Sequence, residues 1–465
     1  MMSDTICAVS TASGLGAIAI VRVSGDQAIE TVDSIFQSSR KNFKLNEAKT
    51  HTAHYGKILN DKTEVIDEVL ATVFRAPNSF TGEDSVEIAC HGSHYIQQEI
   101  IKQLLSKGCR IATHGEFTQR AFANGRMDLS QAEAVADLIA CQNKASHRLA
   151  MNQMRGGFSK EISILRDRLL TFTSLVELEL DFSDHEELEF ADRSELKALA
   201  EEILKKIGSL KNSFSTGNAI KNGIPVSIIG ETNAGKSTLL NYLLKEDKAI
   251  VSDIHGTTRD VIEDTVIIDG LLFRFIDTAG LRNTSDVIEN MGIERSYKMM
   301  DKASIVLWVI DASQPLHHLD ELSVSIMEHL QDKKLIKVFN KVDLIDDPTQ
   351  QAFSDYYKKF EGDELFISAK HTLNTDQLEE LLVKAAQIPE IGENDVMVTN
   401  MRHYEALNNA YSAILRVQDG LENNISGDFL SQDIRECLHY LGEITGEITT
   451  DEVLGTIFSR FCIGK

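Results

Sequence analysis

Gly230-Glu231-Thr232-Asn233-Ala234-Gly235-Lys236-Ser237 decides how this chain is read. It fits G-x-x-x-x-G-K-[ST], a glycine-rich turn whose backbone N–H groups wrap nucleotide phosphates. Pro225 to Ile229 before it is short, apolar and β-branched, which predicts a buried strand. Ser237 to Leu244 after it predicts a helix. Strand, loop and helix together aim loop amides and a helix N-terminus at one anion. In such a loop Lys236 reaches the β- and γ-phosphates and the Ser237 hydroxyl ligates Mg2+, with Ala234, Gly235 and Thr238 in the same cradle. A glycine turn between a strand and a helix needs no ligand, so the loop alone leaves the nucleotide open.

Four further signals follow in the order a GTPase requires. Ser252-Asp253-Ile254-His255-Gly256-Thr257-Thr258-Arg259-Asp260 is a polar switch segment before the expected strand Val261 to Ile268, and Thr258 is placed to complete the Mg2+ shell. Asp277-Thr278-Ala279-Gly280 ends the apolar strand Phe273 to Ile276, so a carboxylate and a glycine N–H are expected at the γ-phosphate edge. Asn340-Lys341-Val342-Asp343 follows the strand Leu335 to Phe339. The Asp343 carboxylate would accept hydrogen bonds from guanine N1 and N2, which adenine does not offer, so the site selects GTP. Ser368-Ala369-Lys370, after Leu365 to Ile367, completes the base pocket. Any one of these is a plain turn by itself; the ordered set predicts a GTP-binding domain.

The hydrolytic positions are unusual. Where Ras-like proteins carry a water-orienting Gln after the D-x-x-G glycine, this chain has Leu281, which cannot orient water. Glu289 follows on the stretch after the switch; its residues fit either a base that swings to the phosphate or an exposed carboxylate at a helix start. No arginine finger is evident. Asn233 stands where a side-chain amide oxygen helps hold a monovalent cation, which would supply the charge a finger brings.

Composition bounds the rest. A chain of 465 residues predicts about three domains. It has no run of about 18 apolar residues and no signal-like N-terminus, so the expectation is a cytoplasmic protein with no membrane span. Its six cysteines lack any C-x-x-C pair and read as free thiols. Cys90-His91-x-x-His94, with Cys109 and His114 nearby, matches no standard zinc spacing and reads as a strand end before a helix. The formal charge of −24 opposes nucleic-acid binding, because basic surface is what releases counterions. If the substrate is RNA, a local basic patch or a basic partner must supply the attraction.

In chain order, residues 1–124 alternate strands and helices, which predicts an α+β domain with a small sheet. Its Gly14-x-Gly16 precedes a strand and so is no dinucleotide fingerprint. A helix is expected from Ser24 to about Phe36, and a hairpin from Ala53–Leu59 and Val65–Phe74 around Asn60-Asp61-Lys62. Residues 125–220 turn helical: Ser130-Gln131-Ala132-Glu133 is a capping box, Phe158 to Leu180 a long amphipathic stretch, Asp181 to Glu187 a solvated acidic turn, and Asp192 to Glu195 a second box. Residues 221–387 alternate as a parallel α/β sheet does, and residues 388–465 return to helical spacing. An α/β module inserted into one helical domain is the economical arrangement.

These residues carry a specific resemblance. Asn233 to Ser237, Gly256 to Asp260, Asp277 to Leu281 and the terminal Phe461-Cys462-Ile463-Gly464-Lys465 resemble the bacterial tRNA modification GTPases that act on the wobble uridine, the TrmE/MnmE-like family. Ser79 to Asp84 and Gly115 to Phe117 match as well, so the likeness covers the whole chain. It implies a tetrahydrofolate-binding, dimerising N-terminal domain, a split all-α helical domain and an inserted Ras-like P-loop G domain. It also implies a homodimer that joins an FAD- and NADH-dependent partner in a heterotetramer. Together they would add an aminomethyl or carboxymethylaminomethyl group to carbon 5 of the wobble uridine of certain tRNAs. The one-carbon unit would come from 5-formyl- or 5,10-methylene-tetrahydrofolate. By the same resemblance Asn233, Ser252, Ile254 and Thr257 would surround K+, Ser237 and Thr258 would ligate Mg2+, and Glu289 would be the general base. Arg22, Glu87, Arg126 and Lys465 would bind folate. Arg126 stands where many members have Lys, and Thr232 replaces a proline common in the family's loop. Cys462 reads equally as a nucleophile or redox thiol beside the folate and as a thiol that only anchors the tail.

Two other readings use the same motifs. A ribosome-assembly or regulatory GTPase makes no covalent product, but no KH-type G-x-x-G domain is appended here. A folate-binding scaffold with a vestigial GTPase site conflicts with the intact Lys236, Ser237, Asp277 and Asp343.

Overall fold

The computed structural model describes residues 4–12, 14–181, 193–244, 264–276, 298–316, 320–330, 333–389, 392, 395–459 and 461–464. Two compact units emerge: residues 1–139, 153–205 and 406–465 form one, and residues 140–152 and 206–405 the other.

The first unit opens on a sheet of seven strands: β1 (Ile6–Val9), β2 (Ile18–Ser24), β3 (Phe36–Ser38), β4 (Thr52–Leu59), β5 (Val65–Phe74), β6 (Ser85–His91) and β7 (Arg110–Ile111), in the order β3-β4-β5-β6-β2-β1-β7. Only β1 and β7 pair in parallel. Period-two alternation sends Val21, Val23, Val69, Ala71, Val86 and Ile88 into a core with α1 (Ala28–Asp33) and α2 (His94–Ser106). Ile6 and Ala8 meet Ala112 and Phe117, the last on α3 (Glu116–Ala123). The sheet is larger than expected, and the helix expected to reach Phe36 stops at Asp33. Phe36 instead pairs with Ile58, which buries it in the sheet core, and the Asp33 carboxylate accepts the Leu45 N–H at 2.6 Å. The expected hairpin is β4 and β5.

Helices α4 (Leu129–Ala140), α5 (Lys144–Met154), α6 (Gly157–Asp181), α7 (Arg193–Asn212) and α8 (Phe214–Asn222) follow. The first capping box is displaced by two residues. Asp128 Oδ1 accepts from the Gln131 N–H and the Ser130 hydroxyl, both at 2.9 Å, and Gln131 Oε1 accepts from the Asp128 N–H at 2.9 Å. That start lets Leu129 bury inside the first turn. Asp181, expected to open the acidic turn, is instead the last residue of α6; residues 182–187 of that turn and Asp192 of the second box lie outside the described residues.

The second unit holds the α/β sheet: β8 (Ile224–Ile229), α9 (Lys236–Leu243), β9 (Asp264–Ile268), β10 (Leu271–Phe275), β11 (Ile305–Asp311), α10 (Asp320–Leu330), β12 (Lys334–Asn340), α11 (Asp347–Tyr357), β13 (Asp363–Phe366) and α12 (Thr375–Ala386). Strand order is β13-β12-β11-β8-β10-β9. Both faces are apolar, as strands covered on two sides require. Val226, Ile228, Leu307 and Val309 share a core with α9 and α12, while Ile229, Val306, Trp308 and Ile310 share one with α10 and α11. The sheet is parallel except at one edge, where β9 runs antiparallel to β10. Asp269 and Gly270 between them both have positive φ, 48° and 76°, which closes a two-residue hairpin.

Three helices complete the first unit: α13 (Met401–Glu422), which begins in the second unit, α14 (Gly427–Thr445) and α15 (Asp451–Ser459). Leu407, Ile414, Leu421, Leu430, Ile434 and Leu441 are buried at the expected spacing, and α14 packs along α6. Thr450 caps α15 by accepting the Val453 N–H at 3.3 Å.

Candidate functional site

The phosphate loop leaves the C-terminal end of β8, where parallel α/β sheets place their ligands. Gly230 (φ 140°) and Gly235 (φ 100°) cannot be replaced without collision. A Cβ would stand 2.2 Å from the Val309 carbonyl oxygen at the first and 2.1 Å from Asn340 Nδ2 at the second. Gly235 is the N-cap of α9, so that helix N-terminus faces the loop. The Lys236 ammonium folds over the loop and donates to the Gly230 and Glu231 carbonyls at 2.8 and 2.6 Å. Burial lowers its pKa. Two of its three donors are thereby committed, and the helix N-terminus beside it favours an anion. Asn233 sits exposed at the turn with left-handed backbone (φ 63°), a conformation asparagine tolerates well. Thr238 is exposed on the first turn of α9, and Ser237 is half-buried beside it.

The base motif is tied into the same loop. Asn340, 3% exposed, donates from Nδ2 to the Ala234 carbonyl at 2.8 Å, and its Oδ1 accepts the Ala369 N–H at 3.0 Å. One side chain therefore brackets three of the expected motifs. Lys341 has left-handed backbone (φ 65°), and its ammonium meets the Asp311 carboxylate at 2.6 Å. Asp311 also accepts from the Ser313 N–H and hydroxyl. Burial opposes its ionisation, but these bonds outweigh burial and lower its pKa. A hydrogen bond with Ser368 holds the Asp343 carboxyl below its ordinary value, with His371 3.7 Å away. The chain turns back after Ala369 and Lys370, where Ser368 pairs with Leu373 in a short bridge. Asp311 and the bracketing role of Asn340 were not anticipated; a polar residue closing an all-apolar strand was the available signal for Asp311.

Ser252, Asp253, Ile254, His255, Gly256, Thr257 and Thr258 lie outside the described residues. So do Asp277, Thr278, Ala279, Gly280, Leu281, Glu289 and Lys465.

In the first unit, Arg22 and Glu87 are direct cross-strand partners on β2 and β6, with Arg22 Nε 3.0 Å from Glu87 Oε1. The Arg22 guanidinium lies 5.3 Å from the Phe80 ring centre and 5.5 Å from that of Phe117. The loop carrying Phe80 also reaches Arg126: a Cβ on Gly82 would stand 3.2 Å from Arg126 Cγ. Arg22, Glu87 and exposed Arg126 thus flank the loop Ser79 to Asp84. The terminal tail is pinned nearby, since Ile463 bridges His114 and the Cys462 carbonyl accepts the Gly115 N–H at 3.4 Å. The Cys462 side chain is exposed.

Behind this loop lies an ionic network that sequence reasoning missed. Buried Arg120 contacts Asp4 at 2.8 Å, Glu116 at 3.0 Å and Glu83 at 3.3 Å, and Arg110 adds a 2.6 Å contact to Glu116. Burial alone would raise the Glu116 carboxyl, but Arg110, the Thr113 N–H and Arg120 together hold its pKa at about 2. Of the cysteine–histidine stretch, Cys90 and Cys109 are buried in the sheet core, and no group of three metal-type ligands occurs among the described residues. No helix of the described residues is long and apolar enough to cross a membrane.

Residues 5–126 match the family model of the GTP-binding protein TrmE N-terminus, and residues 129–462 match that of the MnmE helical domain. The chain is 58% identical over 468 residues to the tRNA modification GTPase MnmE of Bacteroides thetaiotaomicron, with all of both chains covered. It is 59% identical to that of Bacteroides fragilis over the same length and coverage. Identity to the Flavobacterium johnsoniae protein is 50% over 466 residues, 99% of each chain. With a TrmE-type N-terminus, an MnmE helical domain and an intact phosphate loop in one full-length match, the chain belongs to the MnmE (TrmE) family of tRNA modification GTPases.

Proposed function

We propose that the chain is a K+-dependent GTPase that works with an FAD- and NADH-dependent partner on tRNA. The product would be an aminomethyl or carboxymethylaminomethyl group on carbon 5 of the wobble uridine. The observation that carries the reading is the Asn340 bracket, which holds the phosphate loop and the base loop as one unit. In it the loop amides, Lys236 and the α9 N-terminus bind the phosphates, and Asp343 reads the guanine edge. Ser237 and Thr258 would hold Mg2+; Asn233, Ser252, Ile254 and Thr257 would hold K+. Hydroxyl, amide and carbonyl oxygens are hard donors suited to both ions, and exposed Asn233 offers one at the loop's turn. These ions supply positive charge against the phosphates. Glu289 would take a proton from the attacking water, through a second water, as GTP is split to GDP and phosphate.

Arg22, Glu87, Arg126 and Lys465 would bind a tetrahydrofolate derivative. The donor set fits: a pterin offers N–H groups to a carboxylate and a glutamyl tail offers carboxylates to cations, with Phe80 and Phe117 beside Arg22. When bound, the folate supplies the one-carbon unit. The domain division that goes with this reading is 1–124 for folate and dimerisation, 125–220 and 388–465 for the split helical domain, and 221–387 for the G domain. GTP turnover measured in KCl and in NaCl tests it. Turnover should require potassium; equal rates in both salts would refute the cation role.

A further inference from the structure

Strand β11 runs apolar from Ile305 to Ile310, each at most 1% exposed, and then closes on Asp311, whose side chain is 11% exposed. A carboxylate so nearly removed from water has to be paired. Register sets Asp311 opposite Asn340, and the Ala312 N–H donates to the Asn340 carbonyl at 3.0 Å. Asp311 therefore stands beside the start of the base motif. Both of its oxygens are committed. Oδ1 accepts the Ser313 N–H at 3.0 Å and the Ser313 hydroxyl at 2.6 Å, and Oδ2 accepts from the Lys341 ammonium at 2.6 Å.

A largely buried ion pair adds little net stability, because taking two charges out of water costs about as much as their attraction returns. What it fixes is the place of one cation. Lys341 carries three donors on a flexible four-carbon stem, and its backbone lies in the left-handed region (φ 65°), which non-glycine residues seldom adopt. Asp343, two residues on, is the carboxylate of the same motif. His371 Nε2 already lies 3.7 Å from Asp343 Oδ2, and Lys370 adds positive charge close by. A carboxylate that reads guanine must leave its oxygens to the N1 and N2 hydrogens, and a further cation there would take them.

We propose that Asp311 is a positioning residue for base selection: it sequesters the Lys341 ammonium and so keeps Asp343 open to the guanine edge. The inference rests on the reading of Asp343 as the base reader. Released from Asp311, the ammonium would compete at Asp343 with the N1 and N2 donors of guanine. The loop amides and Lys236 would still hold the phosphates, so the loss would fall on the base and not on the anion. Ser313 takes part through Asp311, because its two bonds hold Oδ1 and leave Oδ2 to Lys341.

The test titrates the full chain calorimetrically with GDP and with IDP, which no turnover consumes. Inosine lacks the 2-amino group and offers Asp343 only its N1 hydrogen, so wild type should prefer GDP. Asp311→Asn keeps the size of the side chain and an acceptor for Ser313 but loses the charge. It should weaken GDP binding at least about 10-fold, the scale of a hydrogen bond to a charged group, and narrow the GDP-over-IDP preference at least about 3-fold. Lys341→Met keeps an apolar stem without the ammonium. Asp311→Asn/Lys341→Met should therefore bind GDP within about 2-fold of Lys341→Met alone, since no cation is left to release. Losses that add instead would show that Asp311 acts without Lys341 and overturn the proposal. So would equal weakening of GDP and IDP by Asp311→Asn, which would mean that the loop is merely loosened. Should Asp311→Asn fail to fold, Ser313→Ala must narrow the preference in the same direction, and an unchanged preference overturns the proposal as well. Equal binding of GDP and IDP by wild type would remove Asp343 as the base reader, and this role of Asp311 with it.

Discussion

Asn340 donates to the carbonyl of Ala234 across 106 residues of sequence, at 2.8 Å and out of solvent. The residue that opens the base motif is therefore a strut of the phosphate loop, and the Cβ that Gly235 lacks would collide with it. Asn340→Ala removes two buried hydrogen bonds and leaves their partners unsatisfied. At about 1 kcal/mol or more each, affinity for GTP and GDP should fall together by about 10- to 100-fold. Calorimetric titration with GTP, GDP and ATP checks this; a loss confined to discrimination against ATP would show that Asn340 reads the base instead.

Ser368 controls the charge of Asp343, the residue proposed to read the base. Its hydrogen bond lowers the Asp343 pKa, so the ionised acceptor persists as pH falls below the ordinary carboxylate range. Ser368→Ala should weaken GTP binding about 10-fold at neutral pH, as expected for loss of a bond to a charged group. The deficit should widen as pH falls below about 4.5, because the released carboxyl then titrates nearer its ordinary value of 3.8 while the wild-type carboxyl stays ionised. A gap that stays constant with pH would contradict this.

Glu116 should make the N-terminal sheet acid-sensitive. Its folded pKa of about 2 lies below the ordinary 4.5, so its contribution is complete above the unfolded value and fades as pH drops toward 2. The difference corresponds to about 3 kcal/mol at neutral pH. Amide exchange of residues 112–121 should be faster in Glu116→Gln than in wild type at pH 7, with the two converging under acid. Arg120→Met should cost about 3–5 kcal/mol by the same readout, since it strips a buried carboxylate of a partner.

A substitution at Asn233 would separate the proposed cation role from nucleotide binding. Asn233→Ala keeps every loop amide and Lys236, so Mg2+–GTP affinity should change by less than about 3-fold, whereas turnover in KCl should fall at least about 10-fold toward its value in NaCl. Potassium-stimulated turnover that survives the substitution would remove Asn233 from the cation site.

Four of the GTPase motifs were legible because each is a short linear pattern after an apolar strand, and the strands β8, β10, β12 and β13 fall where those patterns put them. What linear reading missed is what long-range side-chain contacts decide. The Asn340 strut and the Arg120 network join residues far apart in sequence, and no local spacing announces them. The helix start at Asp128 was legible in principle, yet Ser130 offered a competing box two residues later. The antiparallel edge strand β9 was written in Asp269-Gly270, a hairpin signal overlooked beside the parallel pattern around it. Arg22 and Glu87 came from resemblance alone; only strand register shows them as partners.

The central claim, that GTP turnover by this chain serves modification of the wobble uridine, is most directly tested by nucleoside mass spectrometry of tRNA. Cells lacking the gene should lose the C5 aminomethyl and carboxymethylaminomethyl uridines. The wild-type gene should restore them, and Lys236→Ala should not. Unchanged levels of these nucleosides in the deletion strain, or full restoration by Lys236→Ala, would contradict the account.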